Sequence, residues 1–107
     1  MTILGEKYRV IVSNPIGSEL DTNNNIIFEV NYGYVEGVID AEGERQEAYI
    51  LGINKPIHSF EGRLVAIIHR TNDIGNKWVI SNNHYSKEEI EKQVSFMEKY
   101  FNIEIII

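Results

Sequence analysis

The sequence predicts a mainly β chain of the α+β class: a small, strongly curved, closed barrel with one C-terminal α-helix packed on it. Three observations predict it. Apolar residues recur in several short runs separated by Gly-, Asn- and Asp-rich turns, the spacing of an all-β barrel. Gly33 and Gly37 fall inside one strand-like run, where glycine marks a bulge or a close backbone approach useful for closing a small barrel. Only after Ser86 does the pattern change to helical spacing.

Taken in order, residues 7–12 (KYRVIV) alternate polar and apolar side chains and read as a half-buried strand. Asn14-Pro15-Ile16-Gly17-Ser18 is a turn, with proline setting φ and glycine supplying permissive backbone. Residues 19–25 (ELDTNNN) read as a polar loop, and residues 26–30 (IIFEV) as a second strand. Residues 32–39 form a third, and residues 47–53 a fourth that Asn54-Lys55-Pro56 breaks. Residues 57–62 are a connection, with Phe60 tucked against the core. The near-continuous apolar run at 63–69 (RLVAIIH) predicts a strand buried on both faces. A polar loop at 70–76 (RTNDIGN) leads to an answering strand at 77–80 (KWVI).

Ser86-Lys87-Glu88-Glu89 is a capping box, with serine capping the helix and Glu89 reaching back to it. Ile90, Val94, Phe96, Met97, Tyr100 and Phe101 then follow at mostly helical spacing, with Phe96 and Met97 expected in the core. The β-branched end, residues 103–107 (IEIII), predicts a final strand, which must be paired to avoid forming a sticky edge.

Length and composition bound the function. A chain of 107 residues predicts a single domain, 1–107, able to bury roughly two-thirds of its unfolded surface without staples. The absence of cysteine excludes disulfides and thiolate metal sites, and fits a reducing compartment. No apolar run approaches the ~20 residues of a membrane helix, and the first residues lack a signal peptide's apolar core. The expectation is a cytoplasmic protein with no membrane partner. A formal net charge of −6 disfavours nucleic acid as a partner and is compatible with divalent cations.

The stretch from Asn31 to Gly52 concentrates the candidate chemistry. An aromatic–glycine turn, Asn31-Tyr32-Gly33-Tyr34, precedes four carboxylates, Asp40, Glu42, Glu44 and Glu47, packed into eight residues around Gly43. Acids this close repel one another, which a shared cation would relieve; a solvated hairpin tip is the simpler alternative.

In this order the features resemble those of the soluble inorganic pyrophosphatases of the metal-dependent family I, and most closely a short bacterial pyrophosphatase-like subgroup. The likeness runs from about Tyr8 to Tyr100. Its anchors are Asn31-Tyr32-Gly33-Tyr34, the segment 42–51, Ala66-Ile67-Ile68 before a polar loop, Lys77 after it, and the helix ending in Tyr100. The resemblance implies an OB-like barrel and hydrolysis of pyrophosphate, or another phosphorylated small molecule, with Mg2+ or Mn2+.

In the family an Asp-Gly-Asp-Pro-x-Asp motif holds magnesium and the attacking water, and here it reads Glu42-Gly43-Glu44-Arg45-Gln46-Glu47. The resemblance thus implies metal contacts from Glu42 and Glu47, with Asp73 in the later loop, and catalytic roles for Glu44 and Glu47. It also implies phosphate contacts from Tyr32, Lys77 and Tyr100. Each acid is one methylene longer than the family's, and magnesium is strict about geometry. The later loop lacks a second acid, Phe101 stands where the family has lysine, and the N-terminal cations have no clear match. His69, Arg70 and Arg45 are the candidate replacements for the missing positive charge.

Two other readings stand beside the hydrolase. One is a barrel of this type that holds a nucleotide or other phosphorylated ligand without cleaving it. The other is an oligomer-forming protein, motivated by the apolar end 103–107; a homo-oligomer is expected. For Asp40 the turn reading is favoured, for Tyr34 a core aromatic, and for His69 a structural histidine.

Overall fold

The computed structural model describes residues 4–20, 23–71 and 75–107, with the side chains of 23–25 left aside. Five strands close a mixed barrel: β1 (Lys7–Asn14), β4 (Asn31–Ile39), β5 (Arg45–Ile50), β7 (Asn76–Ser81) and β6 (Ser59–Arg70) are neighbours in that order, and β1 pairs back onto β6. All of these pairings are antiparallel except β5 with β7. The short strands β2 (Glu19–Leu20) and β3 (Asn23–Ile27) pair with each other. Helix α1 (Lys87–Glu98) and β8 (Ile103–Ile106) complete the chain, and β8 runs antiparallel along the end of β6.

Glycine lets the strands curve this tightly. A Cβ on Gly33 would lie 1.9 Å from the carbonyl oxygen of Ile11, so β1 and β4 approach closely only because that atom is missing. At Gly37 the backbone turns to φ +79°, and the β4–β5 register slips between Tyr34 and Ile39.

Two apolar clusters result. The first lies within the barrel and draws on every one of its strands: Val10, Val35, Ala48, Ile50, Leu64, Trp78 and Ile80. The second lies under the helix, where Tyr32, Tyr49, Ala66, Ile68 and Val79 meet Ile90, Val94 and Phe96 of α1 and Phe28. The helix starts as its sequence dictates: Glu89 N–H donates to Ser86 Oγ at 3.1 Å, and the Glu89 carboxylate accepts from Ser86 N–H at 2.8 Å.

Several expectations are adjusted. The stretch 19–25 is not only loop, because both β2 and the start of β3 fall within it, and β3 ends at Ile27, before Phe28 and Val30 turn inward. The segment 57–62 is connection only at its start: β6 begins at Ser59 so that it can close the barrel against β1. Along β6, Leu64, Ala66 and Ile68 are buried while Val65 and Ile67 are only partly covered, so both faces contribute unequally. The C-terminal strand is paired, as expected, through Ile67 with Ile106 to Arg70 with Ile103. Among the described residues no helix is long and apolar enough to cross a membrane.

Candidate functional site

The hairpin between β4 and β5 is built by Asp40. Its Oδ1 accepts from the N–H groups of Glu42 at 3.0 Å and Glu44 at 2.9 Å, and its own N–H donates to the Glu44 carbonyl at 2.7 Å. The carboxylate is thus occupied in shaping the turn, as an Asx-type turn requires. That turn swings the tip toward the segment before β7. The Glu42 carboxylate leans over Gly75, where an added Cβ would meet Oε1 at 3.5 Å.

Between tip and β7 lies an open cleft of about 530 Å³, lined by Asp40, Glu42, Glu44, Arg45, Glu47 and Lys77, with Ser13, Tyr34, Asn76 and two glycines. Lys77 forms an ion pair with Glu47, because β5 and β7 run side by side at this level. Beneath it the buried Gln46 amide donates to the Asn76 carbonyl at 2.9 Å and fixes the start of β7 against β5. Arg45 lies over the Tyr34 ring, its Cζ 4.2 Å from the centroid.

Of the expected site residues, Glu42, Glu44, Glu47 and Lys77 thus line one cleft. Tyr32 does not line it: the ring is buried one step below, against Tyr49 at 4.9 Å. Burial first, and then the charge and hydrogen bonding of Glu47, push the Tyr32 phenol far above its ordinary range, so it stays a neutral donor behind that carboxylate. Tyr100 lies outside the cleft, 58% exposed, beneath the Lys99 ammonium. Asp73 lies outside the described residues. Tyr34, expected in the core, is half-buried and faces the cleft. His69 is exposed and shares a 2.7 Å hydrogen bond with Asn76.

A second polar cluster was not foreseen from the sequence. Glu98 is buried at the end of α1, where its charge opposes the helix dipole. It accepts from Arg70 Nε at 2.9 Å and Nη2 at 2.6 Å, and from the Tyr49 hydroxyl at 2.5 Å. Phe101 covers the guanidinium at 3.8 Å. For Arg70 burial opposes the charge, but the bonds and charge of Glu98 outweigh it and the pKa rises. The sequence did carry one signal: Glu98 continues the buried stripe Ile90, Val94 at steps of four.

The acids do not by themselves make a metal cage. Among the described residues, no three His, Asp or Glu side chains stand close enough together to hold one ion. Asp40 is committed to the turn and Glu47 to Lys77. What the cleft offers is a concentration of carboxylates beside two cations.

No protein-family model matches the chain, and no curated protein does. Its fold is shared with solved structures. The inorganic pyrophosphatase of Ehrlichia chaffeensis superposes with a TM-score of 0.70 at 12% identity, over 96% of this chain and 86% of that one. The inorganic pyrophosphatase of Helicobacter pylori gives 0.63 at 15% identity, over 98% and 86%. The inorganic phosphatase of Anaplasma phagocytophilum gives 0.60 at 14%, over 94% and 82%. At such identities the likeness is one of fold: the closed barrel with its helix is the pyrophosphatase OB-like fold.

Proposed function

We propose that the chain is a pyrophosphatase-like hydrolase that takes a phosphoanhydride, in the simplest case inorganic pyrophosphate, as its magnesium or manganese complex. One observation carries the reading: Glu42, Glu44, Glu47 and Lys77 line a single cleft in a fold shared with pyrophosphatases. The charge of that cleft supports the form of the ligand. Asp40, Glu42, Glu44 and Glu47 outnumber Arg45 and Lys77, so a bare polyanion would be repelled, whereas one carrying its own divalent cations would not. Those cations would neutralise charge on the phosphate oxygens, the main requirement of phosphoryl transfer.

The chain's own groups then have definable tasks. Lys77 exchanges its bond to Glu47 for one to a phosphate oxygen. Glu47, released from Lys77 and backed by the neutral Tyr32 phenol, accepts a proton from the attacking water. Glu42 and Glu44 face the cation-bearing side of the ligand. Tyr100, away from the cleft, has no part in this scheme.

The test is phosphate release from pyrophosphate by the purified chain with magnesium or manganese. Glu47→Gln should lower turnover at least roughly a hundredfold, as loss of a general base does, and Lys77→Met should raise KM. No release by the unaltered chain, with nothing changed by Glu47→Ala, refutes the hydrolase.

A second reading has its own support. No three of the described acids converge, and Lys77 is already occupied by Glu47. Both features suit a module that holds a nucleotide or other phosphorylated ligand intact. Calorimetry with pyrophosphate and nucleotides separates the two: tight binding without product favours the module, and rapid turnover excludes it.

A further inference from the structure

The cleft must meet an anionic ligand with very few cations, and most of the positive side chains nearby are already engaged. Lys77 is paired with Glu47. Arg70 is held by Glu98 behind the barrel, and His69 is bonded to Asn76. Arg45 differs. It lines the cleft and, among the described residues, forms no ion pair, although Glu42 and Glu44 line the same cleft. Its contact is the Tyr34 ring, 4.2 Å from Cζ.

We propose that Arg45 is a second phosphate-binding cation of this cleft beside Lys77, available without first breaking an ion pair, and that Tyr34 positions it. The inference rests on the reading of the cleft as a phosphoanhydride site. An arginine over an aromatic ring is commonly mere surface packing. Three features of this pair go further. Both residues line the cleft, so the ring lies on the ligand's side of the sheet. Arg45 opens β5 directly after the tip, opposite Ile39, and Tyr34 pairs with Glu47 two residues further along β5, so the strand pairing itself sets their spacing. The ring also holds the guanidinium without a carboxylate, leaving the planar fork of N–H donors free for phosphate oxygens. Holding that long side chain in place before binding lowers the ordering cost that an unsupported arginine would incur.

The experiment is calorimetric titration of the full chain with methylenediphosphonate in excess magnesium, a pyrophosphate analogue whose P–C–P bridge cannot be hydrolysed. Arg45→Gln should weaken binding by roughly tenfold or more, the worth of a charge-assisted hydrogen bond, and Arg45→Lys should recover only part of the loss. Tyr34→Phe keeps the ring and should bind like the unaltered chain, whereas Tyr34→Leu should lose several-fold with the same thermal midpoint as Tyr34→Phe. Unchanged affinity in Arg45→Gln overturns the role of Arg45. Equal affinities for the Phe and Leu variants overturn the role of Tyr34. Absence of binding by the unaltered chain overturns the reading of the cleft and this inference with it.

Discussion

Arg70 grips both carboxylate oxygens of Glu98, at 2.9 and 2.6 Å, at the seam between the barrel and its helix. The geometry is the bidentate fork that arginine alone can offer a carboxylate. Removing one partner strands the other charge in a dry place. Glu98→Ala should therefore lower unfolding free energy by about 3–5 kcal/mol, read from urea transitions. Replacing the whole cluster, as Arg70→Met, Tyr49→Phe and Glu98→Leu together, should restore most of that loss. A triple variant no more stable than the single one would show that packing, and not stranded charge, sets the penalty.

Alkaline pH should weaken the fold through two phenols. Burial foremost, then the charge of Glu47 for Tyr32 and of Glu98 for Tyr49, hold both above the ordinary value of 10.0. The unfolded chain loses these protons near pH 10 while the folded chain keeps them. Their contribution is therefore complete below pH 10 and falls as pH rises beyond it, by roughly 1.4 kcal/mol per pH unit for each tyrosine. Urea midpoints measured across that range should show the fall, and Tyr49→Phe should reduce its slope. A flat profile would mean that neither hydroxyl is as buried as described.

Gly33→Ala should be among the most damaging single changes in the barrel. The new methyl would collide with the Ile11 carbonyl at 1.9 Å, and backbone on both sides must move. A loss above about 3 kcal/mol is expected from such an overpacked site, seen as a lower urea midpoint or as insoluble protein. By contrast Gly43→Ala, at the exposed tip with nothing near its Cβ, meets only the strain of φ +84° and should cost about 1 kcal/mol. Equal effects at the two positions would contradict the close approach of β1 and β4.

Magnesium should stabilise the chain only in company. Because no three of the described acids share one point, millimolar magnesium alone should leave the thermal midpoint nearly unchanged. Magnesium with methylenediphosphonate should raise it by several degrees through linkage. A rise with magnesium alone would show that the carboxylates, with residues outside those described, do gather around an ion.

Local rules made much of the fold legible. Strand periodicity located β1, β4, β5, β6 and β7 to within a few residues, and the capping box placed the start of α1 at Lys87. Local rules gathered the tip acids; only the family resemblance joined Lys77 to them, and the structure brings both to one cleft. The edges of elements were less so. β6 reaches back to Ser59 because closure against β1 rewards it, a non-local gain that no local pattern reveals. Glu98 was missed for a similar reason: a glutamate near a helix end reads as solvated unless the partner that neutralises it is known, and Arg70 is 28 residues away.

Sequence alone thus determined which segments are extended, where they turn, where the helix begins, and that negative charge gathers at one hairpin. Those are consequences of backbone preference and near-neighbour spacing. Tertiary structure alone decided which charges are paired. Glu47 meets Lys77, Glu98 meets Arg70, and Arg45 rests on Tyr34 in the cleft. Side-chain charges find partners through space once the barrel has closed, and the desolvation and Coulomb terms that select those partners do not exist until then.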